Sequence, residues 1–265
     1  MKFNKIYNKS CENMEEIDND SITLIVTSPP YFNLKDYSNW ETYDQYLFFI
    51  NNVLGECYRV LMPGGWVCWN IQESIPFPPK AIKNNRKNIE RYCEPLLAQT
   101  INIMLENNFL YEKDIVWYKG KGTATQKLFG SFPYPSLLLM SGLTEHIIVV
   151  RKPRGQYKRK VSEDIKEVSK ITKDEWGKWC VDLWNIPPAR ASLVGHAAPF
   201  PHEIPNRCIK LFSFSEDIVL DPFMGSGTTA IAAYINNRKY IGYELNDKYY
   251  KLSKDNILIY KSMIV

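Results

Sequence analysis

Little in this chain points to an oxidising or a membrane setting. Its six cysteines, Cys11, Cys57, Cys68, Cys93, Cys180 and Cys208, include no Cys-x-x-Cys pair, so neither a disulfide framework nor a dithiol redox centre is expected. There are only three histidines, His146, His196 and His202, none at ligand spacing to a cysteine, and no metal is expected. Apolar runs stop at Pro, Gly or charge well short of the roughly 18 residues that would cross a bilayer. Residues 1–10 lack the apolar core of a signal peptide. Together these absences lead to the expectation of a soluble, cytoplasmic protein with no membrane partner. The excess of positive charge is small, 33 Lys and Arg against 29 Asp and Glu for a net +4. That permits a polyanionic partner but excludes a histone-like one. Internal repeats and low-complexity tracts are absent.

What is present fits one α/β domain: 265 residues with 45% hydrophobic content can bury a full core. The run Ile22-Thr23-Leu24-Ile25-Val26-Thr27, stopped by two prolines, reads as a buried parallel strand. Apolar spacing predicts a helix over 44–61, a turn at Pro63-Gly64-Gly65 and a strand over 66–71. A Pro-rich, then basic stretch over 73–91 reads as an exposed, mobile insertion. Further on, a helix is expected over 95–107, strands over 114–118 and 145–150, and a helix over 204–211. A strand over 218–220, a helix over 228–236, a strand over 240–244 and a C-terminal helix complete the pattern. Such alternation implies a mostly parallel sheet.

After the strand at 218–220 come Asp221, Pro222, Phe223 and Gly225-Ser226-Gly227, with Thr228 opening the next helix. Glycine there lets backbone approach a nucleotide-like ligand without a Cβ in the way. About 20 residues on, Glu244 ends the next strand, where a carboxylate can accept both hydroxyls of a ribose. The combination describes an adenosine site. No lysine stands where a phosphate-binding P-loop needs one, and the third glycine of a dinucleotide motif is replaced by Ala230. Only one strand follows the loop, so the other strands must come from the N-terminal part. The order is thus circularly permuted, and residues 27 and 220 should end on the same edge of the sheet.

At that edge Ser28-Pro29-Pro30-Tyr31 follows the first strand. Two prolines fix their own φ and restrict the residues before them, which holds the carbonyls of Ser28 and Pro29 rigid. Rigid acceptors can grip both N–H groups of an exocyclic base amine and draw its nitrogen towards tetrahedral geometry while Tyr31 stacks on the base. Taken alone, the tetrapeptide reads sooner as a rigid exposed turn or a proline-rich ligand; its position after a buried strand changes that balance.

The two segments together, with Pro63-Gly64-Gly65, Glu145-His146 before a strand and Pro199-Phe200-Pro201-His202 ahead of a helix, resemble the β group of DNA amino-methyltransferases. The resemblance spans nearly the whole chain. It implies an α/β, circularly permuted Rossmann-like methyltransferase domain with a mostly parallel seven-stranded sheet and a small inserted DNA-recognition segment. Residues 1–150 would form the catalytic, substrate-side half, 151–184 the target-recognition insertion and 185–265 the cofactor half. It further implies S-adenosylmethionine as cofactor, held by Asp221, Pro222, Phe223, Gly225, Ser226, Gly227, Thr228 and Glu244. Ser28, Pro29, Pro30 and Tyr31 would be catalytic. Serine at position 28 is the family's mark of cytosine N4 as the target, with adenine N6 as the alternative. Family members commonly carry Gly-Asp-Cys where this chain has Lys9-Ser10-Cys11, leaving Ser10 as the cofactor contact there. No Pro-Cys dipeptide occurs, which argues against C5 methylation and for direct in-line transfer.

On this reading the partner is double-stranded DNA, with a cognate restriction endonuclease and a homodimer compatible with it. Base flipping demands a grip on phosphates, and two basic runs are the candidates: Lys83, Arg86 and Lys87, then Arg151, Lys152, Arg154, Lys158, Arg159 and Lys160. Methylation of RNA or of a protein amide, and a DNA-binding relative without turnover, are the rival classes.

Overall fold

The computed structural model describes residues 1–32, 40–77, 92–120, 142–189 and 201–264. Its strands are β1 (Lys5–Tyr7), β2 (Ile22–Thr27), β3 (Leu61–Ile71), β4 (Ile75–Phe77), β5 (Tyr92–Glu94), β6 (Leu110–Tyr118), β7 (Thr144–Arg151), β8 (Leu183–Asn185), β9 (Ile218–Asp221) and β10 (Lys239–Tyr243). The helices are α1 (Tyr43–Val60), α2 (Leu96–Glu106), α3 (Glu163–Val168), α4 (Lys173–Trp179), α5 (Glu203–Phe212), α6 (Thr228–Ile235) and α7 (Asp247–Ile264).

Strand β2 is buried at all six positions, as its unbroken β-branched run requires of a central strand. It pairs in parallel with β3 on one side and β9 on the other. Among the described residues the central sheet has eight strands in the order β1-β10-β9-β2-β3-β7-β6-β8. Only β7 runs against its neighbours. The sheet thus exceeds the expected seven strands by one, the three-residue edge strand β8, which pairs in parallel with β6.

Helices cover both faces. Helix α1 starts at a capping box made by Thr42 and Gln45, which satisfies two otherwise orphaned N–H groups. Its buried stripe Tyr46, Ile50, Val53, Leu54 and Cys57 packs with Leu96 and Met104 of α2 on one side of the sheet. On the other side Ile204, Cys208 and Ile209 of α5 and Ala230–Ala233 of α6 pack against Leu24, Val26 and Val219. The β9–α6–β10 unit is the last part of the chain yet lies beside β2, which is the permuted order expected. The connections diverge between β9 and β2, because one leads to β10 and the other to β3. A crevice opens at such a switch point beyond the carboxyl ends of the strands.

Two local expectations are corrected. Pro63-Gly64-Gly65 does not separate helix from strand: β3 begins at Leu61, and the register with β2 jumps from Ile22↔Leu61 to Leu24↔Trp66. The three residues form a bulge within the strand, with Gly64 at φ +80°. Glu145-His146 lies within β7, in line with the strand expected over 145–150. Of the supposedly exposed insertion, Ile75–Phe77 is a strand paired with β5, and Ile75 is buried. Among the described residues no helix is long and apolar enough to cross a membrane.

Candidate active site

The prolines after β2 and the glycines after β9 deliver their loops to one place. The Thr27 hydroxyl, at the last position of β2, donates to Asp221 Oδ1 at 2.5 Å, and the same oxygen accepts the Phe223 N–H at 3.0 Å. One buried carboxylate therefore ties the two segments together across 194 residues of sequence. Burial pushes the Asp221 carboxyl up to about 6, with Thr27 and the Phe223 amide opposing.

The glycine loop is shaped from below and behind. Gly225 and Gly227 both have positive φ, and Gly227 caps α6 in the left-handed region. Met224 lies on Gly242 of β10, where a Cβ would come within 2.1 Å of its methyl group, so a glycine at 242 is needed for the loop to settle on the sheet. Asn256 of α7 donates to the Ser226 carbonyl at 2.9 Å. Glu244, one residue beyond β10, accepts from Gly225 N at 2.8 Å and from Asn246 N at 2.8 Å. Its carboxyl is pushed up to about 7 by burial, against those two N–H groups.

Facing this loop, Ser28, Pro29, Pro30 and Tyr31 form the other wall of a cleft of about 840 Å³. The volume lies within the ordinary range of small-molecule sites. Asn70 of β3 donates to Ser28 Oγ at 3.3 Å and to Glu145 Oε2 at 2.6 Å. Tyr31 Oη donates to the same Glu145 oxygen at 3.2 Å, and Lys119 pairs with Glu145 Oε1. Burial and the Glu145 charge push the Tyr31 phenol well up, with a hydrogen bond from Ser28 opposing. Asn70 Oδ1 is buried without a partner among the described residues, an open acceptor at the wall of the cleft. Cys11 also lines the cleft, and burial pushes its thiol well up.

All four residues of the Ser-Pro-Pro-Tyr motif line the cleft, as do Ser10, Asp221, Pro222, Phe223, Gly225, Ser226, Thr228 and Glu244; Gly227 shapes the loop from behind. Ser10 reaches it because β1 pairs with β10 and carries residues 8–12 past the carboxyl end of that strand.

The basic residues at the end of β7 and after it are not brought there. Arg151 ends β7, opposite Trp66 and Leu110 at the amino ends of the neighbouring strand segments, about 25 Å from the cleft by the length of an eight-residue strand. Arg151 pairs with Glu112, Lys152 with Asp20, and Arg159 with the buried Asp217. Arg154 packs on Gly64. Lys158 and Lys160 are exposed. Lys83, Arg86 and Lys87 lie outside the described residues, as do His196, Pro199 and Phe200. Within 151–184, α4 is joined to α5 by a Lys210–Glu175 ion pair, and the end of the segment enters β8 beside β6.

Sequence reasoning missed Thr27, Asn70, Lys119 and Glu145. The available signal was Glu145, a carboxylate opening an otherwise apolar strand, where an unpaired charge would not be tolerated.

The comparisons agree with this geometry. A family model described as DNA methylase, for N6 and N4 methyltransferases, matches residues 22–255. Type II beta methyltransferase M.BslI of Bacillus sp. (strain NEB-606) is 31% identical over 266 residues; these cover 96% of this chain and 27% of that protein. Type II methyltransferase M.BglI of Bacillus subtilis is 30% identical over 298 residues, with 91% of this chain and 81% of the relative covered. Among solved structures, the putative DNA modification methylase TTHA0409 of Thermus thermophilus, complexed with S-adenosyl-L-methionine, superposes with a TM-score of 0.78 at 28% identity, over 97% of this chain and 93% of that one. With the permuted sheet, the two loops joined at Asp221 and a family match over most of its length, the chain belongs to the N6/N4 DNA methylase family.

Proposed function

We propose that the chain transfers a methyl group from S-adenosyl-L-methionine to the exocyclic N4 amine of a cytosine flipped out of duplex DNA. The Thr27–Asp221 hydrogen bond carries the reading, because it ties an amine-holding loop to a nucleoside-type loop at one cleft. Glu244 would accept the ribose hydroxyls of the donor, with the backbone at Gly225, Ser226 and Thr228, the Phe223 ring and Ser10 around it. When bound, the donor supplies a methyl carbon on a sulfonium, an electrophile that needs no further activation.

On the other wall Ser28 Oγ and the Pro29 carbonyl would take the two N–H groups of the target amine, while Pro30 stiffens the loop and the Tyr31 ring stacks on the base. With its thiol held neutral, Cys11 is unfit as a nucleophile, which favours direct transfer. Serine at position 28 supports cytosine over adenine through the family resemblance. On the same reading Lys158 and Lys160 remain candidates for phosphate contacts, and a cognate endonuclease would be blocked at the methylated site.

The test is mass analysis of nucleosides released from duplex DNA after incubation with the protein and the donor. N4-methylcytosine is expected. 6-Methyladenine alone would refute the choice of base, and 5-methylcytosine, or a product only in RNA or protein, would refute the amino-methylation of DNA.

A further inference from the structure

The wall of the cleft opposite the glycine loop holds a group to which the sequence gives no role. Glu145 is almost fully buried on β7, and each of its oxygens is committed. Oε1 faces the Lys119 ammonium, which also lies 5.0 Å from the centroid of the Trp117 ring. Oε2 accepts from Asn70 at 2.6 Å and from the Tyr31 hydroxyl at 3.2 Å. The Asn70 amide also donates to Ser28 Oγ at 3.3 Å, and the Ser28 hydroxyl in turn bonds Tyr31. Hydroxyl thus follows hydroxyl from the motif serine to a buried carboxylate.

The chemistry of an amine methylation needs such a path. As the nitrogen lone pair forms the new N–C bond and the S–C bond breaks, the sulfonium charge disappears and the nitrogen becomes positive with one proton too many. An alcohol or a carbonyl beside it is too weak a base to keep that proton. Serine can pass a proton on only if its own has somewhere to go. Burial keeps the Tyr31 phenol protonated, so tyrosine is likewise a conduit rather than a sink.

We propose that Ser28, Tyr31 and Glu145 form a proton relay that drains the methylated amine, with Lys119 supplying the counter-charge for the receiving carboxylate. The amine proton passes to Ser28 Oγ, the serine proton to Tyr31 Oη and the tyrosine proton to Glu145 Oε2. One proton enters and one carboxylate becomes a carboxylic acid, which gives its proton to water when product leaves. Glu145 touches neither base nor methyl donor and acts only through Tyr31 and Ser28, so it is a positioning residue in this scheme. Asn70 keeps the chain in line by holding Ser28 and Glu145 at once. The inference rests on the amino-methylation proposed above and holds for a cytosine or an adenine target alike.

The titratable groups around Glu145 are Tyr31, Lys119 and, at the next position of β7, His146 paired with Asp114, with Glu73 acting on His146. The test is single-turnover methyl transfer to duplex DNA at saturating donor, with donor affinity measured by calorimetry, for wild type, Glu145→Gln, Tyr31→Phe, their double variant and His146→Gln. Each relay variant should slow transfer by about 10²–10⁴-fold, the size of a general acid–base contribution, with donor affinity unchanged. Because the groups act in series, the double variant should be no slower than the slower single one. His146→Gln, which removes the neighbouring titratable group of β7 and leaves the relay intact, should transfer at the wild-type rate. A Glu145→Gln variant that keeps the wild-type rate, a multiplicative loss in the double variant, or loss of donor affinity in step with rate would each overturn the relay. If wild type yields no N-methylated base, the amino-methylation reading fails; if it does and the variants behave otherwise, the relay alone fails.

Discussion

At the cleft, burial raises the Glu244 carboxyl further than that of Asp221. The Glu244 carboxyl is lifted to about 7, above an ordinary value of 4.5, and only the ionised form can accept two ribose hydroxyls. Donor affinity should therefore fall by up to about tenfold for each pH unit below about 7. In Glu244→Gln it should be weaker and nearly flat with pH. Isothermal titration of the donor across that range checks this, and a pH-independent wild type would remove Glu244 from the donor site. Thr27→Val makes a second case, since it deletes the hydroxyl that satisfies buried Asp221 at nearly constant shape. It should cost about 1–3 kcal/mol in urea unfolding, and a variant as stable as wild type would refute the tie. At this scale the legible residues were those that mark the backbone: Gly225, Gly227, Pro29 and Pro30 announce unusual turns, and Glu244 follows by spacing. Asn70, Lys119 and Glu145 come from or just beyond three different strands. Their convergence depends on the pairing of β3, β7 and β6, which no local pattern encodes.

Long elements read well because a buried face repeats often enough to be seen, as in β2 and α1. The three-residue strands β1 and β8 were missed because an edge strand of that length is defined by backbone pairing rather than by side-chain period. The bulge in β3 was misread for another reason: Pro-Gly-Gly is a turn signal, yet here it is pinned on both sides. Gly64 N donates to the Lys152 carbonyl and Lys152 N to the Gly65 carbonyl, each at 3.0 Å, while Lys152 Nζ reaches the carbonyl of Tyr58 at 2.7 Å. The basic run after β7 thus fastens the amino edge of the sheet. Gly64→Ala should cost about 1–3 kcal/mol, because its φ of +80° is unfavourable for alanine; the nearest atom to a new Cβ, Arg154 Nε at 3.0 Å, is on a flexible side chain that can shift. Donor affinity should not change, since the bulge is at the far edge from the cleft. A lower urea midpoint with unaltered calorimetry is the expected pair of results, and a loss of donor affinity would mean that the two edges are coupled.

For the molecule as a whole, the β9–α6–β10 unit comes last in the chain yet lies beside β2, and the two loops meet at the switch point between β2 and β9. Closing that meeting place buries carboxylates that water would otherwise solvate, and the site should therefore cost stability when it is empty. Asp221 is raised from 3.8 to about 6 and Glu244 from 4.5 to about 7. A carboxyl that binds its proton more tightly when folded adds stability below its unfolded value and loses it as pH rises through the folded one. His146, raised by its hydrogen bond to Asp114, acts in the same direction above 6.5. Buried His202 is lowered by desolvation and opposes them. The carboxyls of Glu16 and Glu56 are lowered, and they matter only on the acid side of 4.5. The ligand-free protein should thus melt at a lower temperature at about pH 8 than at about pH 5. Glu244→Gln should narrow that gap, and the donor, which uses the ionised form, should raise the melting temperature most at the alkaline end. Thermal unfolding of both proteins with and without donor tests it: a wild type that gains stability steadily between those pH values would mean that the cleft carboxylates are solvated, and the enclosure on which the site depends would be lost with them.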